Sequence, residues 1–233
     1  MPANPLVYCV HGLLGTAYAH FGAQITAWSD ACRVVPVDLP GHGRCRVDAG
    51  PSYLDTALDY LTAVVARFGA GRLVAASYLG GPLAVRLALA RPDLVTSLVL
   101  TGFVPGLPKD VFVRWLTGFQ TLADRNADLA AGYDRLHGQR WRTTLTEFHA
   151  DVERAYEERA LVAPEQLGAL DIDVLIVNGS VKSAEADAAR HAEDNGHRVR
   201  GLVLAGAGHI AAHDAPDEFT RAVTAFWRER VVA

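Results

Sequence analysis

Short apolar runs alternate along this chain with longer stretches in which apolar residues return every three or four positions. The runs read as buried strands and the stretches as amphipathic helices. Pro5–Val10, Arg33–Val37, Leu73–Ala75, Ser97–Thr101, Ile172–Val177 and Arg200–Ala205 are the strands so predicted. Between them, His20 to Ala31 reads as a helix. So does Ser52–Phe68, with Leu54, Leu58, Leu61, Val65 and Phe68 on one face and Ser52 as a cap. A third helix runs Leu83, Ala84, Val85, Leu87, Ala88, Leu89, with Pro82 in its first turn, and stops near Arg91-Pro92. Ser183–Asn195 is another. The last has Pro216 in its first turn, Asp214 as its cap, and an apolar face of Phe219, Val223 and Phe226 with Trp227 beside it. Strands alternating with helices predict a mostly parallel sheet covered on both faces.

From Gly106 to Leu170 the strand signal is absent. Asp110–Ala123, Asn126–Leu136 and Trp141–Arg159 have helical spacing, so the sheet is expected to be interrupted by an all-helical insertion. That divides the chain into a core, residues 1–105 and 171–233, and a helical block, residues 106–170. The block carries Trp115, Phe119, Tyr133, Trp141, Phe148 and Tyr156. Most aromatics at helical spacing are packing; about a third of these are expected to line a pocket.

Composition narrows the function classes. The chain has 233 residues, half of them hydrophobic, with a formal net charge of −4. No basic patch suggests nucleic acid, and no Lys/Arg run suggests a membrane surface. No apolar stretch reaches the ~18 residues of a membrane helix. The N-terminal MPANPLVYCV lacks a charged region followed by an apolar one, so no secretory signal is expected. Cys9, Cys32 and Cys45 have no metal spacing, and an odd number favours free thiols in a reducing compartment. The expectation is a cytoplasmic protein, monomer or homodimer, acting on a small molecule. With no phosphate loop, dinucleotide fingerprint or metal cluster, no cofactor and no metal are expected.

The stretch Leu73–Val85, LVAASYLGGPLAV, reads as strand, sharp turn and helix. It resembles the nucleophile elbow of the α/β-hydrolase family. The resemblance implies small residues two before and two after the apex. Tyr78 at the apex puts Ala76 and Gly80 there; Ser77 at the apex puts the bulky Leu79 there. The Tyr78 register fits the flanks, and Ser77 on a one-residue insertion is the alternative. Three further segments resemble the same family. His11-Gly12 with two apolar residues is similar to the loop whose amide, here that of Leu13, forms half of an oxyanion hole. Asp38-Leu39-Pro40-Gly41-His42-Gly43 is similar to the loop after the next strand. Gly208-His209, with Pro216 beyond it, is similar to the catalytic-histidine loop. Four such segments in the right order imply the α/β-hydrolase fold with a helical cap.

This resemblance implies an atypical member. The usual acid position, about three residues after Gly179, holds Lys182, and no acid follows Ser97–Thr101. A tyrosine oxygen lies ~4 Å farther from its Cα than a serine oxygen, and a misplacement of ~1 Å can cost roughly a hundredfold. A carbonyl attacked by Tyr78 would miss a hole formed by the Leu13 and Leu79 amides. The implied chemistry is therefore non-covalent acid–base work (cyclisation, elimination or isomerisation) on a small carbonyl or acyl compound, in a biosynthetic setting by analogy. Tyr78 would donate a hydrogen bond and His209 would move the proton. Lys182, His11, Trp115, Phe119 and Trp141 are the substrate-side candidates; for His11 a structural role is the alternative. His20, His137, His149, His191 and His197 are expected at the surface. Two other readings stay open: a conventional esterase or thioesterase using Ser77 and His209, and a catalytically inactive binding protein on the same scaffold.

Overall fold

A computed structural model describes residues 4–229. The outermost residues of the two expected core segments therefore lie outside the described residues. Six strands form one sheet: β1 (Leu6–Val10), β2 (Arg33–Val37), β3 (Gly71–Ala76), β4 (Val95–Thr101), β5 (Asp173–Gly179) and β6 (Val199–Leu204). Their spatial order is β2-β1-β3-β4-β5-β6, and every neighbouring pair is parallel.

Parallel neighbours force a crossover between strands, and the crossovers here are helical. Alternation along each strand supplies two apolar faces. Tyr8, Val10, Leu73, Ala75, Leu98, Leu100, Val174 and Ile176 point to one side. There they meet α2 (Tyr53–Phe68) and α3 (Ser77–Ala90). Val7, Cys9, Val74, Ala76, Val99, Leu175 and Val177 point to the other. There they meet α1 (Ala17–Trp28) and the C-terminal helices. This is the α/β-hydrolase fold.

Between β4 and β5 stand α4 (Lys109–Arg125), α5 (Ala127–His137), α6 (Trp141–Ala155), a π-helical turn at Tyr156–Ala160 and the short α7 (Pro164–Gly168). Phe112, Leu116, Leu145, Phe148 and Val152 of this block join the same apolar core as the sheet face beneath. A buried carboxylate, Asp151, fastens the block to α2. It accepts the Leu54 N–H at 2.9 Å and pairs with Arg154 and Arg159. After β5 come α8 (Ser183–Arg190), β6, α9 (Ala211–Asp214) and α10 (Pro216–Arg228).

Several boundaries depart from expectation by a few residues, and two of them bear on the site. α1 starts three residues earlier than His20 because Thr16 accepts the Ala19 N–H and caps it. α3 starts at Ser77, so Pro82 lies inside the helix rather than in its first turn. No helix among the described residues is long and apolar enough to cross a membrane.

Candidate active site

The bend between β3 and α3 decides the register. Ala76 is the last strand residue, and Ser77 has φ +60°, a left-handed conformation that a non-glycine side chain adopts only at a cost of about 1–3 kcal/mol. The apex is therefore Ser77, and the Tyr78 register is corrected. The bulk of Leu79, two residues on, does not exclude Ser77. Leu79 is fully buried and packs in the core on the α2–α3 side of the sheet. The close approach is made one residue later: a Cβ on Gly80 would fall 2.6 Å from the His11 carbonyl oxygen. With Ser77 at the apex, the amide that follows it is that of Tyr78, which replaces Leu79 as the candidate oxyanion donor. Gly12 completes the fit, since a Cβ there would lie 2.7 Å from the Ser77 Cβ.

Ser77 Oγ donates to His209 Nε2 at 2.9 Å, and His209 Nδ1 donates to Glu185 Oε1 at 2.7 Å. The histidine is thus backed by a carboxylate after all. Glu185 sits in the first turn of α8, three residues beyond Lys182, and its side chain is 1% exposed. Lys182 lies 4.0 Å from Glu185 Oε1 with half its side chain in solvent. Asn178, at the end of β5, locates Glu185 by donating to its backbone carbonyl and to that of Phe103, both at 2.8 Å. The His209 loop packs on two glycines. Gly102 has φ +62°, and a Cβ there would lie 3.1 Å from the imidazole; one on Gly179 would collide with the Ala207 and Gly208 carbonyls. Asp214 is tied to this loop rather than to the final helix, accepting the Gly208 N–H at 2.8 Å.

The Leu13 amide lies in a loop held by imidazoles. Gly12 N–H donates to His20 Nδ1 at 3.2 Å, and Leu14 N–H donates to His42 Nε2 at 3.0 Å. His11 is buried with both ring nitrogens used: Nδ1 donates to the Gly12 carbonyl and Nε2 accepts the Leu39 N–H. It does not line the cavity, which corrects its assignment to the substrate and supports the structural alternative. Burial pulls His11 down to about 4 and His20 to about 3, with neighbouring imidazoles adding to the fall, and holds His42 well below its ordinary value. These rings are neutral acceptors of backbone N–H groups. No group of three or more His, Cys, Asp or Glu among the described residues is arranged to hold a metal ion.

A cavity of about 530 Å³ opens beside Ser77. Phe112, Trp115, Leu116 and Phe119 of α4, Tyr133 and Leu136 of α5, and Phe148 of α6 make its apolar wall. Leu13, His20, Lys182 and His209 line the opposite part. Trp115, Phe119 and Lys182 are thus at the cavity as expected. Trp141 is not: it is buried, donates Nε1–H to Asp134 at 2.7 Å and packs on Tyr133. Of the histidines expected at the surface, His137 is buried, and His20 is half-buried and lines the cavity. Tyr78 forms part of the wall, its ring stacked at 14° to the His209 imidazole with centroids 6.1 Å apart. Its hydroxyl is buried without a hydrogen-bond partner among the described residues. Burial first, and then the Glu185 carboxylate, drive the phenol well above its ordinary pKa, so it stays protonated.

Known proteins share this arrangement of strands and loops. The sequence profile of the alpha/beta hydrolase family matches residues 7–222, and the chain belongs to that family. The crystal structure of NosK from Streptomyces actuosus is 56% identical, with a TM-score of 0.95 over 97% of this chain and 98% of that one. A pimeloyl-[acyl-carrier protein] methyl ester esterase from Nitrosomonas europaea is 36% identical over 110 residues, which is 47% of this chain and 42% of the relative. The match thus spans less than half of that curated relative's length. A thermophilic esterase from Thermogutta terrifontis superposes with a TM-score of 0.72 at 21% identity, covering 97% of this chain and 90% of that one. At that identity the likeness is one of fold.

Proposed function

We propose that this protein is an acyl-serine enzyme that hydrolyses an ester or thioester of an apolar acid. The observation that carries the reading is the relay from Ser77 Oγ to His209 Nε2 and from His209 Nδ1 to Glu185, at 2.9 and 2.7 Å. The non-covalent reading rested on a phenol at the apex and an imidazole without a carboxylate, and neither premise matches this geometry. In the proposed cycle Ser77 Oγ attacks the substrate carbonyl while its proton passes to His209 Nε2. Glu185 fixes the imidazole tautomer and stabilises the imidazolium. The Leu13 and Tyr78 amides stabilise the oxyanion; the Tyr78 N–H belongs to the first turn of α3, where amides have no intrahelical acceptor. His209 returns the proton to the leaving alcohol or thiol as the carbonyl–heteroatom bond breaks. Water, deprotonated by His209, then hydrolyses the acyl-serine to the free acid.

The cavity supports a substrate class. The aromatic wall of α4, α5 and α6 suits an apolar acyl group, with residues 106–170 acting as a cap over the core. His209 must face the leaving group, and Lys182 lines the cavity on that side, where it suits a leaving group that carries negative charge. A fluorophosphonate probe tests the reading. Stoichiometric labelling at Ser77, lost in Ser77→Ala together with a fall in kcat on the order of 10³-fold or more, is the expected result. Wild-type turnover in Ser77→Ala would sink it.

A further inference from the structure

The strained point of the oxyanion loop is Leu14, a buried residue with φ +51°. Such a conformation costs about 1–3 kcal/mol and persists only where the surroundings over-determine it. Both backbone polar groups of Leu14 are held by imidazoles. Its N–H donates to His42 Nε2, from the loop after β2, and its carbonyl accepts from His137 Nε2 at 2.9 Å. His137 belongs to neither the sheet nor its loops. It is the last residue of α5, and its second nitrogen, Nδ1, accepts the Gly43 N–H at 3.0 Å. One ring therefore bridges the oxyanion loop and the loop that carries His42.

We infer that His137 is a positioning residue for the oxyanion site: by holding the Leu14 carbonyl and the Gly43 amide together it keeps the Leu13 N–H aimed at the Ser77 carbonyl adduct, and it links that aim to the seating of α5. The inference rests on the acyl-serine reading above. Two further sets of contacts support it. Tyr133 and Leu136, on the same helix as His137, line the cavity. A bound acyl group therefore presses on the helix end that bears the ring. The α5–α6 junction also grips the same loop elsewhere: Arg140 Nη2 donates to the Gly43 carbonyl at 2.7 Å, and Thr144 Oγ1 to the Gly41 carbonyl at 3.2 Å. An acyl group long enough to reach α5 steadies Leu14, whereas a short one leaves it less firmly held. Acyl length then appears in kcat rather than only in KM, because the benefit is realised where negative charge develops.

The test compares His137→Phe, which keeps a ring and loses both hydrogen bonds, with His137→Gln, whose amide offers one donor and one acceptor. The readouts are kcat and KM on an aryl ester of an apolar acid, and the affinity of an arylboronic acid that forms a tetrahedral adduct on Ser77. In His137→Phe, kcat and boronate affinity are expected to fall about tenfold or more while KM stays within about threefold; His137→Gln recovers part of both. Unchanged kcat, a parallel rise in KM, or a Gln variant no better than Phe overturns the inference. Should His137→Phe not fold, His137→Asn takes its place: its shorter amide cannot span both groups, and wild-type boronate affinity in it overturns the inference. Full turnover in Ser77→Ala would instead overturn the acyl-serine reading itself, whatever His137 does.

Discussion

The two flanks of Ser77 use imidazoles in opposite ways. On one flank a single imidazole, His209, sits between a hydroxyl and a carboxylate with 28% of its side chain exposed. In the proposed cycle it accepts a proton from one neighbour while the other stabilises the resulting charge. On the opposite flank the rings of His11, His20, His42 and His137 each accept a backbone N–H, and burial depresses the basicity of all four. A protonated ring there would lose its acceptor and release the loop. Where a proton must move, the fold supplies a carboxylate; where geometry must stay fixed, it supplies desolvated rings.

The strongest test of this contrast is Glu185→Gln. It keeps the shape of the acid and removes the charge that fixes the His209 tautomer. The expected loss in kcat is on the order of 10³–10⁴-fold, read from steady-state kinetics, with little change in melting temperature. A loss below tenfold would place His209 with the neutral rings of the opposite flank. A weaker effect is expected from acid. His11 at about 4 and His20 at about 3 stand below the 6.5 of an exposed imidazole. Between about pH 6.5 and pH 4 the unfolded chain therefore binds protons that the folded chain does not. Stability falls as pH drops through that window, and the urea midpoint should fall with it. A midpoint that is flat over that range would mean that these rings take up protons in the fold as readily as in the unfolded chain. The smallest effect is that of Tyr78→Phe. The buried phenol has no hydrogen-bond partner among the described residues, so its removal should raise the melting temperature by a few degrees, on the order of 1 kcal/mol. A loss of kcat comparable to that of Ser77→Ala would return the chemistry to the phenol.

Most of the fold was legible from periodicity. β2 matches its predicted range, Arg33–Val37, and the helical block between β4 and β5 stands where strand signals stop. The site was legible in its loops but not in its register. The rule that the second residue after the apex must be small failed because backbone contact here falls on Gly80, while Leu79 finds space in the core. Glu185 lies in the first turn of α8, beyond the position about three residues after Gly179 where the family resemblance implies an acid. A usable signal was present: α8 buries Ala186 and Ala189, and a carboxylate beside them on the buried face needs a partner. For His20 and His137 no local signal exists. Their acceptor roles arise from backbone amides 8 and 94 residues away in sequence.

What the sequence settled alone was what has a short period: which segments are strands of a mostly parallel sheet, which segments are the helices that cover it, and where the glycine-rich bends fall. Those properties follow from side-chain alternation and backbone freedom within a few residues. What tertiary packing decided was which hydroxyl crowns the bend, which carboxylate meets His209, and which rings hold Leu14. Each is a contact a few ångströms long between groups far apart in the chain. Such contacts are set by how helices seat on the sheet, and a one-residue shift in that seating exchanges a phenol for an aliphatic hydroxyl.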